Sequence, residues 1–304
     1  MPVNKHSPKI SVGLPVFNGE LFIKKSIESI LSQTYSNFEL VISDNASTDL
    51  TEQICKSFDD PRIKYVRQKN NLGIHRNYKF LLDDAKYTYF IWVSSDDYWH
   101  PNYLEKNLEI LMNNPKIVSC VGIVKPFSAK EMGIKSELIE TARYPKFISE
   151  FIRNRRHDKM TDTESISGTF NKKTRKFLKI TKSLRRWWGL HRTEQLRKSY
   201  VFPPFINVEV STFLNLLKLG DFYECNETFL YEFDEGISSR GIINTIKVSE
   251  HKFPGTVFPF QPFTKWFLKN LGIKLFLKNL DIIILMNLGG QFALFVDLYI
   301  QSKQ

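Results

Sequence analysis

The chain has 304 residues, of which 42% are hydrophobic and 25% charged, and its formal net charge is +11. This length suits one large α/β domain or one domain with an appendage, and the hydrophobic content excludes a disordered chain. The positive charge favours an anionic partner: a nucleotide, a nucleic acid or an acidic membrane surface.

The cysteines and histidines follow no pattern of a disulfide framework or a zinc site. The three cysteines, Cys55, Cys120 and Cys225, lie far apart, and neither Cys-x-x-Cys nor His-x-x-x-His spacing occurs. Such cysteine usage predicts a reducing, cytoplasmic location. Residues 1–9 lack the apolar core of a signal peptide, which agrees with that expectation.

The first half of the chain alternates between strand-like and helix-like segments. The predicted strands cover residues 10–14, 38–42, 62–66, 89–93 and 116–123. The predicted helices, in which apolar residues recur at helical spacing, cover residues 23–31, 50–58, 74–85 and 101–113. Because the connections are short, this repetition predicts a mostly parallel, doubly wound sheet. No Gly-x-Gly-x-x-Gly follows the first strand and no Walker sequence occurs, so side chains would have to hold any bound nucleotide.

The second half of the chain is less regular. Residues 127–163 are polar and weakly periodic, which predicts loop and irregular helix, whereas residues 172–198 are strongly basic. Apolar positions at 210–217 predict an amphipathic helix that ends at Gly220, and residues 222–230 predict a late strand. Residues 236–241 predict a loop.

The residues from 253 onwards mix aromatic and apolar residues with lysines. Trp266, Phe267 and Leu277 are interleaved with lysines, which predicts an interfacial helix with cationic flanks. The apolar stretch 282–300 contains Asn287, Gly289-Gly290, Gln291 and Asp297, which argues against a membrane-spanning helix. Two interpretations remain open: attachment to an anionic membrane surface, and packing on the chain's own domain or on a second subunit.

Two adjacent carboxylates, Asp96 and Asp97, follow directly after the predicted strand 89–93. Ligands bind at the carboxyl edge of open α/β sheets, and hard oxygen ligands suit a Mg²⁺ or Mn²⁺ ion on a diphosphate. An Asp-rich turn that caps the helix beginning near Pro101 is the alternative. This segment alone leaves both interpretations open.

Four short segments occur in a fixed order in the first third of the chain. They are Pro15-Val16-Phe17-Asn18, Ser43-Asp44-Asn45-Ala46-Ser47-Thr48-Asp49, Asn70-Asn71-Leu72-Gly73 with Arg76-Asn77, and Ser95-Asp96-Asp97 with Pro101. In this order and spacing, and over residues 8–240, the chain resembles the family 2 glycosyltransferases. The resemblance implies an α/β fold of the GT-A type, a Rossmann-like, doubly wound and mostly parallel sheet, with a helical C-terminal extension.

The resemblance also implies a division of the chain. Residues 1–240 would form the glycosyltransferase domain, with a nucleotide-sugar-binding half at 8–125 and an acceptor half at 126–240. Residues 241–304 would form an amphipathic helical tail. The implied activity is that of a hexosyl or similar transferase. It would move a sugar from a nucleotide diphosphate, with uridine as the expected nucleoside, to an acceptor hydroxyl by single displacement with inversion.

The resemblance implies a donor site and a metal site. The implied nucleotide-sugar-binding residues are Pro15, Phe17, Asn18, Glu20, Asp44, Asn71, Gly73, Arg76, Ser95 and Asp96. Asp96 matches the last carboxylate of the family's Asp-x-Asp motif for Mg²⁺ or Mn²⁺, and Asp97 is expected to support it as a metal ligand. Ser94 replaces the first Asp of that motif, which removes one negative charge near the diphosphate.

The resemblance implies a catalytic base as well. In the family, a carboxylate at the start of a helix lies eleven residues before a glycine, and Glu209 stands at that distance from Gly220. A carboxylate within hydrogen-bond reach can take the proton of an acceptor hydroxyl. The helix dipole is expected to keep the Glu209 carboxylate ionised. An exposed glutamate in a first helical turn is the alternative.

Residues 187–194 resemble the segment that precedes the base on the acceptor side of the family. An aromatic pair can stack on sugar faces and an arginine can pair with a phosphate. The predicted acceptor-binding residues are therefore Trp187, Trp188, His191 and Arg192. Core aromatics beside a solvated basic face are the alternative. Ser183 stands where a processive synthase has Gln in its Gln-x-x-Arg-Trp motif, and processive synthesis is rejected.

These features together predict a role in cell-surface glycan synthesis. The expected acceptor is a saccharide or lipid-linked saccharide of lipopolysaccharide or capsule type. The expected location is the cytoplasm, with peripheral attachment to the inner face of the membrane, and a homodimer through the tail stays open. The rival function is a non-catalytic nucleotide- or carbohydrate-binding protein on a decayed scaffold, which Ser94 favours. Nucleic acid is not an expected partner, because no recognised module supports it.

Overall fold

Within the described residues, eight strands form one sheet. The structure is a computed structural model that describes residues 7–128, 164–180, 184–233, 243 and 257–302. The strands are β1 (Ile10–Val16), β2 (Phe38–Asp44), β3 (Ile63–Arg67), β4 (Tyr89–Trp92), β5 (Tyr98–Trp99), β6 (Ile117–Phe127), β7 (Leu190–Arg192) and β8 (Asp221–Phe233). Their order across the sheet is β3-β2-β1-β4-β7-β6-β8-β5.

Helices connect the strands and extend the chain beyond them. In the described parts of the chain they are α1 (Ile23–Leu31), α2 (Thr51–Lys56), α3 (Ile74–Asp84), α4 (Tyr103–Asn113), α5 (Phe170–Ile180), α6 (Thr193–Ser199), α7 (Val208–Leu219), α8 (Gln261–Leu271), α9 (Ile273–Lys278) and α10 (Leu280–Ser302). A 3₁₀ turn covers Leu184–Trp188. The predicted alternation of strands and helices is confirmed. The expectations for 129–163 and 236–241 lie outside the described residues.

Most of the sheet is parallel. β1 pairs in parallel with β2 and β4, and β2 pairs in parallel with β3. β7 runs antiparallel between β4 and β6, so β6 and β8 run in the same direction as the first four strands. The carboxyl ends of β1 to β4, β6 and β8 therefore meet at one edge of the sheet, which is the edge where open α/β sheets bind ligands.

Apolar side chains cover both faces of this sheet. Successive residues of a strand point to opposite faces. Val12 and Leu14 of β1 pack in a cluster with α1 and α4, whereas Phe90 and Trp92 of β4 pack in a second cluster with α3 and α7. The second cluster also contains Phe267 of α8. The first of the three C-terminal helices, α8, is thus packed against the sheet domain.

The last helix, α10, is continuous. Glycine within a helix costs only about 1 kcal/mol relative to alanine, so Gly289-Gly290 does not end it. At Gly290 a Cβ atom would lie 2.8 Å from the Phe260 ring, so the glycine allows a close contact. Contrary to the sequence-based argument, Leu280–Tyr299 is long and apolar enough to cross a membrane, by length and composition.

Candidate active site

The loop after β1 is bound to the loop after β2. The Asn18 amide N–H donates to Ser47 Oγ at 2.9 Å, and Asn18 has the left-handed φ of 52°. Glu20 Oε2 accepts the Leu50 N–H at 3.0 Å. Asn18 Oδ1 also accepts the Thr48 N–H at 2.9 Å, so the Asn18 and Glu20 side chains hold two loops together at the carboxyl edge. Phe17 is 48% exposed between them and presents an aromatic surface to solvent.

Asp44 ends β2 and is buried, with 0% of its surface exposed. Its Oδ1 accepts the Ser47 N–H at 2.8 Å. Its Oδ2 accepts the Tyr65 hydroxyl at 2.5 Å and the Arg67 guanidinium at 3.1 Å. These partners engage both carboxylate oxygens, so Asp44 stabilises the loop after β2. The structure thereby corrects the expectation that Asp44 contacts the base and ribose directly.

The segment before α3 lies beside the same loops. Asn45 Nδ2 donates to Asn71 Oδ1 at 2.8 Å, and the Leu72 N–H donates to Asn45 Oδ1 at 2.8 Å. Gly73 has a φ of 81°, a conformation that favours glycine, and α3 begins directly after it. Arg76 is exposed in the first turn of α3. The structure thus brings the predicted residues of this segment to the donor side of the edge.

The carboxylate segment follows β4 at the same edge. A Cβ atom at Gly19 would lie 3.7 Å from Ser95 Cβ, so this segment adjoins the loop after β1. Pro15 is buried in β1 and pairs with Ser43 of β2, one residue before both strands end at this edge. The Ser94 hydroxyl donates to Asp96 Oδ1. Ser94 therefore orients the half-buried Asp96 carboxylate, a role that the sequence did not indicate.

Asp97 points into the protein. It is buried, and its Oδ1 accepts the Phe233 N–H of β8 at 2.8 Å. Burial raises the pKa of the Asp97 carboxyl well above its usual range, and the charges of Asp96 and Glu232 raise it further. Burial and the hydrogen bond to β8 hold this carboxyl group inside the protein, away from the edge where a cation on a diphosphate would lie. The structure corrects the expectation that Asp97 is a metal ligand.

Asp96 is the carboxylate that suits a divalent cation. Among the residues that the structure describes, no three His, Cys, Asp or Glu side chains are grouped to hold a metal ion. Mg²⁺ usually keeps several waters and takes one or two protein carboxylates together with substrate phosphates. The half-buried Asp96, at a ligand-binding edge, fits that mode of binding and does not fit an all-protein metal cage.

Glu209 lies in the first turn of α7, where the sequence predicted it. Its side chain is 24% exposed, and its Oε1 lies 3.9 Å from Nδ1 of His75 in the first turn of α3. Burial raises the pKa of the Glu209 carboxyl to about 7. The loss of hydration is the main cause of this raised pKa, and a backbone hydrogen bond partly opposes it.

Tyr78 lies near both predicted reacting groups. Burial raises the pKa of its hydroxyl well above the ordinary value, and the negative charges of Asp96 and Glu209 raise it further. The charges of both carboxylates therefore act on the Tyr78 hydroxyl. The sequence analysis missed Tyr78, although it lies one turn after His75 on the same helix. The Trp188 ring, which is half-buried, has its centroid 6.3 Å from that of Tyr78.

Trp187 and His191 belong to the core. Trp187 is buried and stacks on Trp92, with ring centroids 4.4 Å apart and an interplanar angle of 2°. His191 is also buried, and burial lowers the pKa of its imidazole to about 3. These positions correct the expectation that both residues contact an acceptor. They match the alternative of core aromatics.

Arg192 lies at the other edge of the sheet. It pairs with Tyr89, the first residue of β4, whereas the carboxylate segment follows the last. Its guanidinium donates to the carbonyl oxygens of Ile117 at 2.9 Å and Leu111 at 2.6 Å. Arg192 therefore stabilises the amino edge, and the expectation that it contacts the acceptor is corrected.

A comparison with known protein families identifies the family of this chain. The sequence profile of glycosyl transferase family 2 matches residues 11–179, just over half of the chain. The chain belongs to glycosyl transferase family 2. The matched region includes every donor-side segment and the Asp96 carboxylate, and it ends before Glu209.

Curated relatives match part of this family 2 chain. An uncharacterized glycosyltransferase of Rickettsia typhi is 35% identical over 123 residues, which are 40% of this chain and 38% of the relative. An uncharacterized glycosyltransferase of Haemophilus influenzae is 34% identical over 134 residues, which are 43% of this chain and 41% of the relative. The match therefore spans less than half the length of these relatives.

Solved glycosyltransferase structures share the fold of this family 2 chain. Residues 1–349 of S. aureus TarS align with a TM-score of 0.59 and 18% identity, over 90% of this chain and 69% of that one. TarS has also been crystallised with UDP-GlcNAc. A mannosyltransferase of Pyrobaculum calidifontis in complex with GDP-Man and Mn²⁺ aligns with a TM-score of 0.54 and 14% identity, over 98% and 76%. The GT-A type of fold is thereby confirmed.

Proposed function

We propose that this chain is an inverting glycosyltransferase that moves a sugar from a nucleotide diphosphate sugar to an acceptor hydroxyl. The observation that carries this proposal is the position of two carboxylates at the carboxyl edge of the sheet. Asp96 follows β4 there, and Glu209 lies 3.9 Å from His75 in the first turn of α3, the helix that begins at the same edge. Single displacement needs stabilisation of the leaving diphosphate and a base for the attacking hydroxyl, and one carboxylate is placed for each. A UDP-sugar is the proposed donor, which the UDP-GlcNAc complex of TarS supports.

The donor is proposed to lie along the loops that follow β1, β2 and β3. Phe17 is exposed there and offers a ring for the nucleoside base. Asn71 and Arg76 are exposed on the adjoining segment, and Arg76 is proposed to pair with phosphate oxygens. Asn18 and Glu20 are exposed at this edge and are proposed to contact the nucleoside as well as to hold the loops, whereas the buried Asp44 acts through the loop that it holds.

Asp96 is the residue that would hold a Mg²⁺ or Mn²⁺ ion on the donor diphosphate. Such an ion, when bound, neutralises the negative charge that develops on the departing nucleoside diphosphate. Mn²⁺ accompanies GDP-Man in the P. calidifontis mannosyltransferase, which supports this assignment. The Ser94 hydroxyl donates to Asp96 and fixes the direction of its carboxylate. Ser94 in place of an acidic residue therefore does not by itself indicate a decayed site.

Glu209 is proposed to act as the general base. The acceptor oxygen forms a bond to the anomeric carbon, the bond from that carbon to the diphosphate oxygen breaks, and the hydroxyl proton passes to Glu209. A base with a pKa near the working pH combines a substantial ionised fraction with a strong tendency to accept a proton. The pKa of about 7 at Glu209 meets this requirement. Trp188, beside Tyr78, is assigned to the acceptor.

The rate of transfer is expected to rise with pH and to level off above a pH of about 7. The ionised Glu209 carboxylate is the active form, and because its pKa is raised, that form is lost when the pH falls below about 7. The measurement is kcat/KM for transfer at a series of pH values, with donor affinity determined at each pH. A profile that stays flat between about pH 5 and 8, where a carboxyl of ordinary pKa is already ionised, contradicts the assignment.

The acceptor and location are also proposals. We assign the protein to cell-surface glycan synthesis at the cytoplasmic face of a membrane, with a saccharide or lipid-linked saccharide as acceptor. Cys55, Cys120 and Cys225 are buried free thiols, which supports a reducing compartment. Residues 1–240 would form the catalytic domain and residues 241–304 the attachment region, with a homodimer through the tail as the alternative.

A screen of nucleotide sugars tests the proposed function. Thermal unfolding is measured with UDP-, GDP- and other nucleotide sugars, each with and without Mn²⁺, and donor hydrolysis is then followed for any compound that binds. One donor at 100 times its Kd is expected to stabilise the fold by about 2.7 kcal/mol and to be turned over. Stabilisation without hydrolysis or transfer to any saccharide would favour the rival, a non-catalytic binding protein.

A further inference from the structure

Helix α10 presents a continuous apolar face to solvent. Leu285, Leu288, Phe292, Phe295 and Tyr299 are each more than half exposed. They recur at alternating intervals of three and four residues, so they lie on one side of the helix and form a stripe about 21 Å long. Isolated exposed apolar residues are ordinary, but a contiguous stripe of this kind marks an interaction surface.

Polar side chains of α10 fasten the helix along the domain. Asn287 Nδ2 donates to Thr264 Oγ1 at 3.0 Å, and Gln291 Nε2 donates to the Val257 carbonyl at 2.8 Å. Asp297 is buried, and its carboxylate accepts the Ile243 N–H at 3.0 Å. A helix held at several points along its length does not stand free to cross a bilayer. Its exposed face instead lies parallel to whatever surface it meets.

Basic side chains border the N-terminal end of this face. In α9, Lys274 and Lys278 are exposed beside the exposed Ile273 and Leu277. Lys278 also lines an open depression of about 270 Å³, together with Lys172 of α5. The Asp281 carboxylate at the start of α10 pairs with Arg175 at 2.7 Å. The border of the apolar face is therefore cationic, because Lys274 and Lys278 are exposed and the Asp281 carboxylate is neutralised by Arg175.

We propose that the α10 face docks on an anionic lipid bilayer with the helix in the plane of the interface. Its aromatic and leucine side chains would reach the boundary of the acyl chains, and Lys274 and Lys278 would meet lipid phosphates. Charge favours lipid over a second copy of the chain, since two copies that each carry +11 repel one another. The inference rests on the membrane attachment included in the proposed function and names the helix face and the lipid chemistry that provide it. Its test is independent of sugar transfer, because no donor or acceptor takes part.

Vesicle flotation with the full chain tests this inference. Strong binding is expected to vesicles of phosphatidylglycerol and phosphatidylcholine, with weaker binding to phosphatidylcholine alone. Phe292→Ser with Phe295→Ser should weaken binding roughly tenfold or more, because two exposed rings no longer enter the interface. Lys274→Gln with Lys278→Gln should weaken binding to the anionic vesicles and reduce its dependence on salt.

Exposed apolar residues elsewhere provide the matched control. Met112 and Leu219 are 50% and 49% exposed on α4 and α7, so Met112→Ser with Leu219→Ser should bind vesicles as the unaltered chain does. Circular dichroism melts establish that each variant is folded. Absence of flotation at low salt, or an equal loss in the control variant, overturns the proposal. So does a stable dimer by light scattering that binds no vesicles and that the Phe292→Ser, Phe295→Ser variant dissociates.

Discussion

Glu209→Gln is expected to lower the turnover of sugar transfer by about a thousandfold, while donor affinity changes little. The glutamine amide keeps the shape of the side chain but cannot accept the acceptor proton. Glu209 stands on α7 beside His75, away from the loops after β1 and β2 that are proposed to hold the nucleotide. The measurements are kcat for transfer and the donor Kd by calorimetry.

Glu194→Gln is the matched control for this variant. Glu194 also lies in the first turn of a helix, α6, but it is exposed and pairs with Arg197 at 2.5 Å. α6 begins directly after Arg192 at the opposite edge of the sheet, so this change should leave kcat unaltered. Near-full turnover in purified Glu209→Gln would show that another group accepts the proton.

Asp96→Asn is expected to lower kcat/KM by about a hundredfold and to raise the Mn²⁺ concentration needed for half-maximal rate. Asparagine can still accept the Ser94 hydroxyl, but it has lost the charge that attracts a divalent cation. Removing charge stabilisation of a leaving group costs several kcal/mol in comparable sites. Initial rates over a range of Mn²⁺ and donor concentrations give both quantities.

Asp97→Asn is the neighbouring control. The Asp97 carboxyl is buried with a pKa raised well above its usual range, and the amide oxygen of asparagine can still accept the Phe233 N–H. This change should therefore leave the Mn²⁺ dependence unaltered. If Asp97→Asn abolishes it and Asp96→Asn does not, the ion is held by the second carboxylate and the present assignment is overturned.

Much of the donor side could be predicted from the sequence because its signals are local. Strands β1 to β4 are apolar runs with turn-forming residues after them, and parallel strands bring those turns to one edge. The direction of each side chain within a turn is not local. Asp44 and Asp97 point inward because Tyr65, Arg67 and Phe233, which lie far away in sequence, engage their oxygens.

The predicted acceptor-binding residues were harder to place, because the direction of strand β7 determines which edge of the sheet they reach. β7 has only three residues, too few to show periodicity, and it runs antiparallel between two parallel strands. This reversal carries Arg192 to the amino edge and buries His191. A motif comparison detects the residue types in this segment, but it does not show which edge of the sheet they reach.

In the C-terminal helices, too, the sequence pattern does not show which apolar residues are buried and which are exposed. Phe267, which was expected at an interface, is buried in the core, whereas the exposed stripe lies on α10. Asn287 and Gln291 interrupt the apolar stretch in the sequence, but in the structure their side chains donate to Thr264 and Val257 and so anchor the helix. Polar residues on one face of a helix do not shorten it, and the linear pattern does not distinguish an anchor from a break.

The hydrogen bond between Asp97 and Phe233 also affects when the carboxylate segment can reach its final structure during synthesis on the ribosome. It joins residues 136 positions apart, and β8 separates β6 from β5 in the sheet. Contacts of such long range form late, because the intervening chain must first be closed into a loop. The carboxylate segment is synthesised early but gains this partner only once β8 has emerged. A nascent chain that stops before β8 therefore lacks the hydrogen bond that holds Asp97 inside the protein. Once β8 is in place, that hydrogen bond directs Asp97 inward while its neighbour Asp96 faces the cleft.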